Sequence, residues 1–214
     1  EGYGIIDPPR WRKAIKIASD ANPGSRLVLR GNLSWSYWED SGITPLLTEV
    51  NGSSWDGMSS AGLRPLIKTY DIRKGPTVEV IIFHGSPIRV MFRSHHAVMD
   101  GRGLMTWAED IFRALNGLQP LGSDHTIVEN DLLHFPDKKI HPAPASSFIS
   151  PVGMPVGKDP ERVWRRISVK GHHSKLLSRI IILCAKAARL HGEGPVRIGI
   201  PVDLRPRRPG LRST

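Results

Sequence analysis

One segment constrains this chain more than any other: Ser94-His95-His96-Ala97-Val98-Met99-Asp100-Gly101. Before it, Ile88-Arg89-Val90-Met91-Phe92-Arg93 is rich in β-branched and apolar residues and reads as a strand. After it, Leu104, Trp107, Ala108, Ile111 and Leu115 recur at helical spacing, and Gly117 supplies a stop. Two adjacent histidines therefore end a strand, and Asp100-Gly101 turns the chain into a helix. A sequence that changes period here belongs to a mixed α/β fold. Loops held between rigid elements commonly carry chemistry, and histidine is the usual general base near neutral pH.

The flanking segments give an order of elements. Pro8-Pro9 precede an amphipathic helix over Trp11 to Ala21, which stops at Asn22-Pro23-Gly24. Arg26 to Tyr37 alternates, with Leu27, Leu29, Leu33, Trp35 and Tyr37 on one side, and predicts one half-buried strand. Leu46 to Val50 predicts a short strand. Thr77 to Phe83 and Ile88 to Arg93, separated by His84-Gly85-Ser86-Pro87, predict a hairpin. The helix over 102–116 follows. Residues 117–160 lack a period and are read as a crossover or lid rather than a linker between domains. Arg162 to Val169 predicts a strand. Lys175 to His191 predicts an apolar helix with a thin polar stripe, so most of it should be covered. Val196 to Val202 predicts a final strand. Together these give an α+β two-layer sandwich: a mixed, largely antiparallel sheet with helices packed on one face.

Charge and cysteine use narrow the classes. The chain has 214 residues and a net charge of +10. Residues 1–160 hold 17 Lys/Arg and 17 Asp/Glu, whereas 161–214 hold 13 and 3, so the excess lies entirely in the last quarter. A basic stretch suits a phosphate-bearing donor, an acidic carrier protein, or a solvated face. Nucleic acid fits poorly, because the basic residues are not interleaved with aromatics and no nucleic-acid motif is present. The lone Cys184 forbids an internal disulfide, sits in an apolar run that predicts a buried, inert thiol, and fits a reducing cytoplasm. No secretory signal pattern is seen, and the longest apolar run is far shorter than the roughly 20 residues needed to span a bilayer. Phosphate-loop, dinucleotide and zinc-finger spacings are all missing. A metal set of His84, His95, His96 and Asp100 is disfavoured, because adjacent histidines on a strand diverge.

His95-His96-x-x-x-Asp100-Gly101 resembles the HHxxxDG signature of the condensation-domain and coenzyme A-dependent acyltransferase superfamily, which includes chloramphenicol acetyltransferase. The order of elements resembles the N-terminal half of that fold. Gly199-Ile200-Pro201-Val202-Asp203-Leu204-Arg205 is similar to the family segment in which a Gly-x-Pro-Val strand ends in an arginine. The resemblance implies a chloramphenicol acetyltransferase-like N-terminal subdomain over 1–214, with 117–160 as crossover. It also implies that the C-terminal subdomain, and its Asp-Phe-Gly-Trp-Gly motif, are absent from this chain.

The resemblance assigns roles. His96 is the catalytic position, a general base or positioning group for an amine or hydroxyl attacking an acyl thioester. His95 is read as structural from the strand itself, because adjacent residues at a strand end point to opposite faces and both rings cannot serve one site. Asp100 is expected to pair with an arginine rather than with His96, and Arg205 is the candidate partner. Removing one member of a buried pair costs several kcal/mol, so either substitution is expected to damage folding as well as activity. Gly101 allows a tight turn and close backbone approach, and its N–H near a helix start suits a developing oxyanion. The cluster Arg205, Arg207, Arg208 and Arg212 is a solvated loop or a carrier-protein contact. No intrinsic cofactor is implied, since phosphopantetheine or coenzyme A arrives with the acyl donor. The expected partners are the C-terminal half of the fold, which would cover Trp35, Trp107, Trp164 and the apolar helix, and an acyl carrier protein or acyl-coenzyme A. A non-catalytic scaffold that binds a carrier protein is the alternative.

Overall fold

The computed structural model describes residues 1–60, 69–123, 148–151, 153, 164–200, 203 and 205. Its elements, in chain order, are α1 (Pro8–Ala21), β1 (Leu27–Arg30), β2 (Tyr37–Asp40), β3 (Leu46–Asn51), β4 (Val78–His84), β5 (Arg89–Ser94), α2 (Gly101–Leu115) and α3 (Leu176–Ala188). The chain divides into two compact units. The first takes in the described residues of 1–57 and 69–123 with Asp203 and Arg205; the second takes in those of 58–60 and 148–200.

The first unit is a mixed α/β layer structure built on β4. Val78 to Phe83 are all buried, which is the pattern of a strand covered on both faces. β3 pairs with β4 in parallel, Leu46 opposite Glu79, and β5 pairs with it antiparallel, Val78 opposite Ser94. One face carries Val78, Val80 and Ile82 against Trp11 and Ile15 of α1 and Trp107 and Ile111 of α2. Phe92 meets Trp107 edge to face at 6.1 Å. The other face carries Ile81 and Phe83 against Val50, Trp55 and Met91.

Helix α1 starts at Pro8, three residues earlier than the periodicity indicates. Pro8 and Pro9 sit in the first turn, where a missing N–H costs nothing, and the Asp7 carboxylate accepts from Arg10 N–H at 3.4 Å. The two helices are locked by a buried polar joint. Asn22 Nδ2 donates to Ala18 O at 2.8 Å and to Asp110 Oδ2 at 2.9 Å. Asp110 also accepts from the N–H groups of Leu121 (2.8 Å) and Gly122 (2.9 Å), which folds the chain after α2 back onto that helix, and Ser123 N–H donates to Ala21 O of α1 at 2.9 Å.

The expected single strand over 26–37 is instead a hairpin, β1 against β2, with Leu27 opposite Asp40. Gly31 breaks it: φ is +73°, and a Cβ there would overlap the Trp35 carbonyl. The alternation in the sequence runs straight through this turn, so Leu33 and Trp35 are 93% and 84% exposed rather than half-buried.

In the second unit, α3 ends at Ala188 and is largely uncovered, with Leu176, Leu177, Ile180, Ile182 and Leu183 all exposed. Cys184 is half-buried. Two expected strands are missing here among the described residues. Arg165 makes an isolated bridge with Ser59, and Arg166 N–H donates to Met58 O at 2.7 Å, but 164–169 otherwise has no ladder. Residues 195–200 are irregular. Both stretches have strand composition, but a strand needs a paired neighbour as well as propensity. Arg162, Val163, Pro201 and Val202 lie outside the described residues, as does most of the 117–160 crossover.

Candidate functional site

The histidine turn is anchored at both ends by ordinary secondary-structure chemistry. At its start, His95 N–H extends the β4–β5 ladder by one bond, donating to Thr77 O at 2.8 Å. Val98 N–H then donates to His95 O at 3.0 Å. Ala97 N–H donates to His95 Nδ1 at 3.1 Å. A neutral imidazole accepting at Nδ1 carries its proton on Nε2. At its end, Val98 and Met99 are buried in the helix-side core. His95 is half-buried, while His96 and Ala97, between the anchors, are exposed. The fold thus presents the His96 imidazole to solvent from a backbone pinned on both sides.

Asp100 ends the turn and begins α2. Its extended backbone (φ −80°, ψ 178°) is that of a helix N-cap, and Oδ1 accepts from Gly103 N–H at 2.7 Å. The same carboxylate receives Arg205 in a two-point fork: Nη2 donates to Oδ1 at 2.8 Å and Nη1 to Oδ2 at 3.1 Å. Such bidentate pairs fix orientation as well as charge. Burial pushes the Asp100 carboxyl up, but hydrogen bonds from Arg205 and Gly103 N–H, the Arg205 charge, and lastly the charge of His96, bring it below its ordinary value. Burial pulls the Arg205 guanidinium down, and Asp100 and Asp203 more than restore it.

The pair is not the fully buried one that the expected folding cost presumes. Asp100's side chain is 48% exposed and Arg205's 16%, so water screens one partner. Asp203 is a member of this cluster that sequence reasoning missed. Its Oδ1 accepts from Arg205 N–H at 3.1 Å and lies 3.2 Å from Arg205 Nη1, and its Oδ2 lies 3.9 Å from Arg102 Nε. The available signal was its position two residues before Arg205, the reach of an Asx turn.

Gly101 is the first residue of α2. Its φ is outside the left-handed region, and a Cβ would meet nothing within 4 Å, so this conformation places no steric demand for glycine there. His84 lies at the far end of β4, with Nε2 3.0 Å from Glu49 Oε2. Trp107, expected on an open surface, is 0% exposed and donates Nε1–H to Ser19 Oγ at 3.1 Å. Arg207, Arg208 and Arg212 lie outside the described residues. Among the described residues, no three His, Cys, Asp or Glu side chains converge to hold a metal, and no helix is long and apolar enough to cross a membrane.

No family model matches this chain. No curated protein matches it either. Solved structures do. The tallysomycin biosynthesis protein TlmII is similar over 61% of this chain and 35% of its own, at 16% identity and a TM-score of 0.46. The SgcC5 protein of Streptomyces globisporus is similar over 53% of this chain and 28% of its own, at 17% identity and a TM-score of 0.46. The epimerization domain from the third module of tyrocidine synthetase B is similar over 52% and 27%, at 19% identity and a TM-score of 0.41. The matched part therefore spans about a third or less of the length of these structures.

Proposed function

We propose that this chain supplies the histidine side of an acyl-transfer site, with His96 as general base or positioning group. The observation that carries the reading is the presentation of His96. It is the exposed imidazole of a turn pinned by a ladder bond before it and by the Asp100–Arg205 fork after it. The HHxxxDG resemblance supplies the chemistry for that geometry. An amine or hydroxyl attacks the carbonyl carbon of an acyl thioester, and His96 takes or orients its proton as the tetrahedral intermediate forms. The C–S bond then breaks and the departing sulfur is protonated. Asp100 and Arg205 hold the turn, His95 fills its inner side, and the Gly101 N–H at the α2 start faces the developing oxyanion. Phosphopantetheine or coenzyme A belongs to the donor. The opposite wall of the site belongs to a C-terminal half of the same fold, supplied by another segment or chain.

The test is thiol release from a panel of acyl-coenzyme A donors with amine and hydroxyl acceptors, run on the chain together with its C-terminal half, since activity is expected only with that half, and on the same assembly carrying His96→Ala. The reading expects turnover that falls about 10²-fold or more in the variant, with an unchanged melting curve. Absence of turnover, together with saturable binding of an acyl carrier protein, favours the scaffold alternative.

A further inference from the structure

The sheet face away from the helices hides a charge network outside the site described above. Glu79, in the central strand, is 4% exposed, and it lies directly opposite Arg93 in the β4–β5 register. The Arg93 guanidinium donates through Nη1 to Glu79 Oε1, and Tyr70 Oη donates to the same oxygen at 3.2 Å. Arg93 also lies over the Tyr70 ring, 5.2 Å from its centroid. Burial, and then the adjacent Glu79 carboxylate, push the Tyr70 hydroxyl well above its ordinary range, so it remains a donor.

The position of this network along the ladder is informative. One pair beyond Glu79–Arg93 is Val78–Ser94, and the next bond is His95 N–H to Thr77 O. A buried charge in mid-strand is costly unless its partner is held in place. One-residue slippage of β5 would move Arg93 to the opposite face and strand Glu79. The ion pair is therefore satisfied in the same register in which His95 and His96 leave the sheet.

We propose that Arg93, held by Glu79, is a positioning residue for the histidine turn: it fixes the end of β5 and thereby the placement and tautomer of His95, against which the His96 backbone folds. This deepens the acyl-transfer reading and rests on it only for the consequence to turnover. The geometric claim is tested without turnover, so the two can fail separately.

The experiment is NMR on uniformly 15N-labelled full chain, comparing wild type, Arg93→Lys, Arg93→Met and the charge-free double variant Glu79→Gln/Arg93→Met. The double variant removes both charges, so it still folds if the lone buried Glu79 unfolds Arg93→Met. Two readouts are taken: the His95 ring 15N shifts, and exchange of the His95 amide relative to the Val80 and Ile82 amides. In wild type and Arg93→Lys, the His95 ring should be the Nε2–H tautomer with a protected amide. In the variants that lack a cation at 93, the tautomers should mix, and His95 amide exchange should rise at least tenfold more than that of Val80 and Ile82. Equal acceleration of all three amides, or an unchanged His95 tautomer in the double variant, overturns the proposal and leaves the pair a stability element only.

Discussion

Arg205 and Asp100, 105 positions apart, meet in a two-point fork, Nη2 to Oδ1 at 2.8 Å and Nη1 to Oδ2 at 3.1 Å. Asp100 is at once this ion partner and the N-cap of α2. The two roles separate by substitution. Asp100→Ala loses both the cap, worth about 1 kcal/mol, and a half-exposed ion pair worth up to about 1 kcal/mol. Asp100→Asn keeps a capping oxygen and loses the charge and one acceptor of the fork. We therefore expect urea melts to rank wild type as most stable, Asp100→Asn next and Asp100→Ala last, with Arg205→Ala close to Asp100→Asn. Equal losses for Asp100→Asn and Asp100→Ala would contradict the capping role.

The fork also predicts a pH dependence. The Asp100 carboxyl lies below its ordinary value of 3.8 in the folded chain. A depressed carboxyl contributes stability that is fully present above the unfolded value and is lost as pH falls through the folded one. The difference in melting temperature between wild type and Asp100→Asn should thus be constant above about pH 5 and shrink below about pH 4. Asp40, held down by Arg26, and Asp71, held down by the Arg73 N–H, are common to both proteins and cancel. Asp203 shares Arg205, so the series is repeated in an Asp203→Asn background. A difference that widens toward acid would reverse the assignment.

The site is more legible in the sequence than its surroundings. The strand-to-helix change around His95-His96 follows from residue types and order, because ladders and caps are local, whereas the pairing of Asp100 with Arg205, a contact across 105 positions, is legible only through the family resemblance. The 26–37 stretch misleads because a period of two can be counted through a turn, and only the backbone shows that Gly31 reverses the chain. The described parts of two further stretches, 164–169 and 196–200, mislead because propensity does not supply a pairing partner. Asn22 is legible as a helix stop but not as a buried ligand of Asp110, which is a contact across 88 positions. Glu79 and Arg93 look like the polar side of a hairpin, and only burial by Tyr70 and its neighbours turns them into a network.

The two histidines should separate function from stability. His96 is exposed, so His96→Ala should leave the melting curve within about 0.5 kcal/mol of wild type. Its effect should fall on turnover alone. His95→Ala removes the acceptor for Ala97 N–H, a bond worth about 1 kcal/mol, and should lower stability. A thermal melt and a turnover assay on both variants check this. A destabilised His96→Ala protein with unchanged turnover would move the active imidazole to His95.

The largest stability effects should arise at the joint between the helices rather than at the site. Asp110 is 0% exposed and accepts from Asn22 Nδ2 and from two backbone N–H groups after α2. Asp110→Ala removes one of the two acceptors of the buried Asn22 Nδ2, which keeps Ala18 O, and the acceptor of two part-buried backbone N–H groups, each loss costing about 1–3 kcal/mol where water cannot reach the donor. Asp110→Asn retains one oxygen and should cost less. Trp107→Ala, at a fully buried ring, should cost about 3–5 kcal/mol. Because the joint is formed by α1, α2 and residues 121–122, hydrogen exchange in Asp110→Ala should accelerate first in α1 and around Gly122, ahead of β4. Uniform acceleration through the sheet would instead mean that the first unit unfolds as one cooperative body, with the joint inseparable from its core.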